Sequence, residues 1–330
     1  MGTNFPDVET IRTALSLAVR APSVHNSQPW LWRIGEHSLH LYANSAAHLP
    51  HTDPDLRDLI LSCGTTLNHC EVALAALGWG TKIHRFPNAA DGDHLASMEL
   101  HRYRPTSGDV CMAAAIPRRR TDRRRYSSWP VARGDIALMG ARAARAGVML
   151  RRVDELEYLR RMVAKAAQQH AADSDYQLEL STWSGRHGSA VGVPARSVPK
   201  ADEAGPVPSR SFASGELDQV QDLGSTIDSA VVVALGTEAD DDTTRLRAGE
   251  ATSLVLLTAT ALGLASCPIT EPLEVPSTRA AVAEEVFGEE GYLQMLIRIG
   301  WAPINADPLP STPRRDLAEV AAFLTGKPLH

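Results

Sequence analysis

The densest group of chemically capable residues in this chain is IPRRRTDRRRYSSWPV, Ile116 to Val131, with six arginines, one Thr and one Asp between Pro117 and Tyr126. Guanidinium groups bind phosphate oxygens bidentately, and a Thr hydroxyl adds a further donor. A phosphate cradle is therefore one reading, with Pro130 and a helix starting near Asp135 placing it just before a helix. A solvated charged face is a second reading, and a nucleic-acid or targeting patch a third. The net charge of −6 and the lack of interleaved aromatics weigh against the third.

A second stretch, RAPSVHNSQPW from Arg20 to Trp30, packs two prolines, several hydrogen-bonding side chains and a Trp into one short loop. Pro22 and Ser23 would end a helix and turn the chain, while Gln28, Pro29 and Trp30 would anchor the loop in the core. A well-packed helix-to-strand turn accounts for Pro29 and Trp30 equally well. Other candidates are weaker. His37 and His40, like His48 and His51, lack a third and fourth ligand at a metal-binding spacing. EADDD, Glu238 to Asp242, reads as a solvated loop. Cys267 reads as packed rather than reactive. His25 and His69 are left undecided by sequence.

These residues need a scaffold, and composition bounds it. At 330 residues, 44% hydrophobic and 22% charged, the chain is long enough for one large domain or two ordinary ones. No apolar run approaches the roughly 20 residues of a membrane span. The start, MGTNFPDVETIRT, lacks the layout of a secretory signal, and the four cysteines have no CxxC spacing. The expectation is a cytoplasmic globular protein without a nucleic-acid or membrane partner.

Leu56 to Trp79 reads as a buried helix ending at Gly78, a plausible left-handed cap. LRAGEATSLVLLTATALGL, Leu246 to Leu264, repeats it. Gly64 aligns with Gly249, and Ala76-Leu77-Gly78 with Ala261-Leu262-Gly263, at an offset of 185 positions. An earlier helix end repeats at an offset of 125, with Arg20 on Arg145 and Ala21 on Ala146. Each match is short, and Ala- and Leu-rich helices resemble one another by chance. The two offsets differ by 60, which locates an insertion in the second half at about 154–228. Within it, Ser181 to Gly215 is rich in Gly, Pro, Ser and Ala without helical or alternating pattern. Such a segment is a linker or a functional lid, and Trp183 and Phe212 are residues a free linker rarely needs. Strands are expected at Ser229–Thr237, at Tyr292–Ala302, in a pair around Gly35 and over HLASMELHRY. Without regular βαβ alternation and without GxGxxG, the expected class is α+β rather than doubly wound.

At this point the motifs carry a resemblance. APSVHNSQPW resembles the Pro-Ser-x-x-Asn-x-Gln-Pro-Trp loop of FMN-dependent nitroreductases, and RRTDR, Arg119 to Arg123, resembles their Arg-Arg-Ser-x-Arg phosphate segment. ATALGLASCPITEP, Ala259 to Pro272, is similar to their buried helix and Pro-Ile loop. FGEEGYLQMLIRIGWAP with LPSTPRRDLAEV resembles their closing strand and C-terminal Arg segment. In that family the order is phosphate segment, helix, Pro-Ser loop, with flavin between two identical subunits. Here the Pro-Ser loop lies in the first half, which has no Arg-rich segment before its helix. The phosphate segment opens the second half, which has ARAGVMLRRV where the loop should be. Each half keeps what the other lacks, as in the actinobacterial Acg-like branch, which the chain resembles.

The resemblance implies a tandem-duplicated nitroreductase-like α+β fold, with residues 1–112 as one half, 113–330 as the other, and the lid-like insertion in the second. It implies one FMN per chain and a monomer functionally equivalent to the family's dimer. It implies that Pro22, Ser23, Val24 and Asn26 bind the cofactor, Ser23 and Asn26 by hydrogen bonds to the ribityl chain or ring. Arg119, Arg120, Thr121 and Arg123, joined by Arg314 or Arg315, would hold the phosphate. Pro268, Ile269 and Thr270 would lie against the isoalloxazine, with a backbone N–H near Thr270 directed at N5; no certain catalytic side chain is implied. The implied activity is hydride transfer from NADH or NADPH through FMN to a nitroaromatic, a quinone or another small aromatic acceptor. The alternative is FMN storage or sequestration beneath a closed lid.

Overall fold

The structure, a computed structural model, describes residues 5–199, 207, 210, 212, 214–219, 228–303 and 305–329. Parts of the expected lid, 200–206, 208, 209, 211 and 213, and the end of the insertion at 220–227 lie outside the described residues.

The first part of the chain runs α1 (Val8–Ala18), β1 (Trp30–Ile34), β2 (Ser38–Ala43), α2 (Arg57–Ala76), β3 (Trp79–Arg85), β4 (His94–Arg102) and α3 (Ser107–Ala115). Then follow α4 (Arg133–Arg145), β5 (Met149–Arg152), α5 (Leu156–Ala172), α6 (Ser174–Trp183), β6 (Ser184–Arg186) and β7 (Val193–Pro194). The remainder is β8 (Val231–Thr237), α7 (Asp242–Ala261), β9 (Ala265–Ile269), α8 (Glu271–Glu274), α9 (Pro276–Phe287), β10 (Tyr292–Gly300), α10 (Leu317–Val320) and β11 (Ala321–Phe323). Two sheets result, one ordered β11-β1-β2-β4-β3 and the other β5-β8-β10-β9, with β6 and β7 forming a small pair. The mixed α+β class is as expected.

The long helices form where their patterns place them. α2 is buried on nearly every side and ends before Gly78, whose φ of +88° only glycine adopts readily. α7 starts at a capping box between Asp241 and Thr244 and ends before Gly263, at φ +84°. EADDD is thus more than a solvated loop: Asp241 caps α7, and Asp240 accepts from Arg245 and Gln294.

α2 and α7 pack against each other at the centre of the molecule. Leu246 of α7 is buried in the core that α1, α2 and the first sheet build. Reciprocally, Leu61 of α2 is buried in the core that α4, α7 and the second sheet build. At the crossing Ser253 Oγ donates to Asn68 Oδ1 at 2.7 Å. Among the described residues no helix is long and apolar enough to cross a membrane.

One sequence expectation needs correction. Within the expected insertion α5 (Leu156–Ala172) and α6 (Ser174–Trp183) are regular helices, and the end of α6 with β6 and β7 falls inside the segment 181–215 that shows no pattern in sequence. Leu159 and Val163 of α5 pack with Leu273, Val282 and Phe287 in a third core, so this helix is scaffold. The C-terminal segment reaches the first sheet. β11 pairs in parallel with β1, Trp32 opposite Ala321 and Ile34 opposite Phe323, so the end of 113–330 lies in the first sheet.

Candidate functional site

A cavity with about 1040 Å³ of empty space, its mouth included, opens between elements from well-separated parts of the chain. It is lined by Pro22, Ser23, Val24 and His25, and by Asp58, Leu61, Ser62 and Thr65 of α2. Later in the chain come Thr121, Arg123, Thr252, Met295, Arg298 and the run Cys267 to Glu271, with Val207, Arg210 and Phe212 from the segment before β8.

The Pro-Ser loop is held by a set of local bonds. Thr65 Oγ1 donates to the Pro22 carbonyl at 2.6 Å, the Val24 N–H donates to Ser62 Oγ at 3.1 Å, and the Gln28 N–H donates to Ser23 Oγ at 3.0 Å. His25, Asn26 and Gln28 have φ of 42°, 55° and 54°. Non-glycine residues adopt that region at a cost, and such strain persists only where the surroundings fix it. Asn26 is buried in this loop and is not among the residues lining the cavity; its Oδ1 has no hydrogen-bond partner. Its Nδ2 donates to the Gly192 carbonyl at 3.1 Å and the Pro313 carbonyl at 3.2 Å, tying the insertion and the C-terminal segment to the loop.

The arginine segment divides between two places. Thr121 and Arg123 reach the main cavity, where the Arg123 guanidinium stacks over the Phe212 ring at 4.9 Å. Arg119 and Arg120 line a small adjoining cavity with Arg20, Ile116, Thr312 and Arg314. Arg119 is buried, and its Nε and Nη1 have no hydrogen-bond partner. Burial, then Arg120, Arg20 and Arg123, push its pKa down to about 10. Burial, then Arg119, Arg20 and Arg120, push Arg314 down to about 9. Among the described residues no carboxylate is paired with Arg20, Arg119, Arg120 or Arg314. Buried cations without counter-charge are costly, and an anion seated among them removes the cost. Arg124, by contrast, is neutralised by Asp122 at 2.8 Å.

Arg314 is also a brace. Its guanidinium donates to the carbonyls of Val19, Arg20 and Ala21, each at 3.0 Å, capping the chain as it leaves α1 for the Pro-Ser loop. Arg315 lines neither cavity; its N–H donates to Gln28 Oε1 at 2.9 Å. Arg120 is turned mostly toward carbonyls of its own turn, donating to Pro117 and Arg119 at 2.8 Å.

The opposite wall comes from the end of β9. Pro268 and Ile269 lie opposite Ile297 and Leu296 of β10, and Asp122 donates its N–H to the Ser266 carbonyl at 3.0 Å, fixing the Arg-rich segment to the same strand. Thr270 Oγ1 donates to Glu274 Oε1 at 2.9 Å. Burial pushes the Cys267 thiol up, so it is packed and protonated. Arg210 joins this wall to the Pro-Ser loop. It donates to Glu274 at 2.5 Å, Tyr176 Oη at 2.8 Å, His25 Nε2 at 2.9 Å and Thr270 Oγ1 at 3.2 Å.

Sequence reasoning missed Arg20, Asp58, Ser62, Thr65, Thr252 and Arg210. Ser62 and Thr65 carry a usable signal, being polar residues three apart, on one face of a helix that is buried nearly throughout. Arg210 has none, because its partners are assembled by the fold. Of the two aromatic residues in the expected lid, Phe212 lines the cavity and Trp183 does not.

The site pairs a buried, uncompensated cationic corner with a wide cavity of mixed polar and apolar walls. That suits a flat ligand with an anionic tail. No family model matches the chain. Over 323 residues, 98% of this chain and 94% of the relative, it is 59% identical to a Mycobacterium tuberculosis (strain H37Rv) protein named "Putative NAD(P)H nitroreductase Rv3131". It is 35% identical to "Putative NAD(P)H nitroreductase acg" of the same organism, covering 94% of this chain and 95% of that one. Among solved structures it is similar to a nitroreductase with bound FMN from Bacteroides fragilis, at 16% identity and TM-score 0.39, covering 62% of this chain and 95% of that one. It is also similar to the NADPH:FMN oxidoreductase of Vibrio harveyi complexed with NAD+, at 14% identity and TM-score 0.37, covering 64% and 75%.

Proposed function

The chain belongs to the NAD(P)H nitroreductase family of those mycobacterial relatives, and we propose that it is an oxidoreductase binding one FMN in the cavity between its halves. The observation that carries this reading is the cluster of Arg20, Arg119, Arg120 and Arg314, buried or half-buried and without a carboxylate, beside that cavity. Arg119 would hold the phosphate with its two unpartnered nitrogens, helped by Arg20 and Arg120. Thr121 and Arg123 line the main cavity, Arg314 fixes the loop that carries Pro22, Ser23 and Val24, and Pro268, Ile269 and Thr270 form the facing wall. FMN, when bound, supplies the ability to take a hydride from NADH or NADPH and pass two electrons to a nitroaromatic or quinone. The protein binds and orients it and keeps water from the apolar part of the pocket.

A fused pseudo-dimer is the arrangement we favour. Leu61 and Leu246, and Asn68 and Ser253, each differ by the 185 positions of the repeat. Leu61 and Leu246 are each buried in the other helix's core, and Asn68 and Ser253 bond to each other across the crossing, which supports a two-fold relation between the central helices. The purified monomer should then bind one FMN. Two flavins per denatured chain, or FMN bound only between chains, would overturn it.

Sequestration is the second reading, favoured by Val207, Arg210 and Phe212 of the insertion in the cavity wall, where a second flat substrate would stand. An anaerobic titration of the FMN-loaded protein with NADPH and with NADH, followed by flavin absorbance, separates the two. Rapid bleaching by either nucleotide supports turnover. Bleaching by dithionite alone supports storage.

A further inference from the structure

We propose that His25 is a ligand-binding residue of the main cavity, presenting its Nδ1–H as a hydrogen-bond donor, and that Arg210 is the positioning residue that fixes this tautomer. The proposal rests on FMN being the ligand, whose ring system offers carbonyl and nitrogen acceptors.

A guanidinium has donors and no acceptor. Arg210 Nη1 lies 2.9 Å from His25 Nε2, so Nε2 must be the lone-pair nitrogen and the ring proton must sit on Nδ1. Arg210 cannot readily turn aside to relieve this, since the same Nη1 also donates to Tyr176 Oη and its Nη2 donates to Glu274 and Thr270. Its charge is itself balanced: Glu274 accepts from it, and Glu271 and Tyr176 lie close enough to favour its charged form. Burial, then Arg210, Arg123 and His170, keep His25 neutral, far below the ordinary imidazole range.

The Nδ1–H that follows is an oddity inside a protein. His25 is 6% exposed, lines the cavity, and has no hydrogen-bond partner at Nδ1. Buried donors are nearly always satisfied, and an exception calls for an absent partner. The backbone that carries this ring is strained, at φ 42° in the left-handed region, and the Phe212 ring packs against it edge-to-face with centroids 5.8 Å apart. The fold holds a side chain in a costly conformation and gives one nitrogen a partner from the insertion. A ligand in the cavity is the partner available to the other.

Long-range proton–nitrogen correlation of the labelled protein reads the tautomer directly, with His25→Phe identifying the signal among the 12 histidines. The expected result is a neutral ring protonated at Nδ1, with and without FMN, whose Nδ1 proton moves downfield when FMN is added. Arg210→Leu should release the ring to an Nε2–H form. In His25→Phe, loss of a donor that favours the more electron-rich reduced flavin should lower the FMN midpoint potential. A tenfold selective loss for the reduced form is about 30 mV. An Nε2–H ring or an imidazolium in the unaltered protein overturns the proposal. So does an Nδ1 proton unmoved by FMN together with an unchanged potential in His25→Phe. A protein that binds no FMN at all overturns the cofactor reading and the ligand half of the proposal, whereas the tautomer in the FMN-free protein judges Arg210 separately.

Discussion

Gly64 and Gly249 meet where the two central helices cross: a Cβ built on either one would lie 2.8 Å from the Cα of the other. The contact is reciprocal in detail, since the Gly64 Cβ would stand 2.1 Å from the Leu246 carbonyl oxygen and the Gly249 Cβ 2.1 Å from that of Leu61. Both obstacles are backbone, so neither can move aside without separating the helices. Gly64→Ala and Gly249→Ala should each cost about 3 kcal/mol, the upper end of overpacking penalties. Because one separation relieves both clashes, the double variant should cost less than the two singles together. Urea unfolding measures all three, and unchanged midpoints would mean the helices are not in close contact.

Arg119 separates binding from stability. Arg119→Ala removes a charge-assisted partner of the phosphate, and FMN affinity should fall roughly tenfold or more. The same substitution removes a buried cation without counter-charge, so the FMN-free protein should be no less stable. Inorganic phosphate should raise the melting temperature of the FMN-free protein and leave that of Arg119→Ala where it was. Unaltered FMN affinity in the variant would remove Arg119 from the cradle.

Arg314 should behave differently from its neighbour. Arg314→Ala takes donors from the carbonyls of Val19, Arg20 and Ala21 at once, and hydrogen bonds from charged groups contribute about 1.5–3 kcal/mol. A stability loss of about 2 kcal/mol with a parallel loss of FMN binding is expected, read by thermal unfolding and by flavin titration. A variant weakened in binding alone would make Arg314 a phosphate ligand and not a brace.

The insertion controls access if Phe212 and Arg210 stay in the cavity wall. Reduction of FMN by NADPH should be slow and reduction by dithionite faster. Replacing Ser181–Gly215 with a short Gly-Ser linker should speed the NADPH reaction at some cost in FMN retention. Stopped-flow absorbance gives both rates. Fast NADPH reduction in the intact chain would count against a closed lid, and slow reduction after replacement would point to a pocket without a productive nicotinamide site.

Sequence by itself determined the features that depend on neighbours along the chain. The apolar runs ending in Gly78 and Gly263 become α2 and α7 because a continuous apolar surface must be buried and a glycine can adopt the left-handed cap. β8 and β10 follow from β-branched and apolar runs, and the hairpin of β1 and β2 from alternation about Gly35. The clustering of arginine around Thr121 was likewise visible as composition. α5 was legible and overlooked: Leu159, Val163, Ala166 and His170 are its buried residues, spaced for one helix face.

Only the tertiary structure decided which of these residues share a site. Asn26 reads as a ligand in its motif; its Nδ2 is used by the carbonyls of Gly192 and Pro313, which no local pattern brings near, while its Oδ1 has no partner. Arg314 and Arg315 are adjacent and alike in sequence; one caps the exit from α1 beside Arg119, and the other packs its backbone on Gln28. β11 joins the first sheet by parallel pairing, a choice made by the path of the chain and not by its three residues. Arg210 draws its meaning from His25, Tyr176, Thr270 and Glu274, contributed by three separate stretches of chain. Helix caps and hydrophobic periods are short-range physics and can be read from a string. Which buried cation lacks a counter-charge, and which donor lacks an acceptor, is fixed when distant segments pack together.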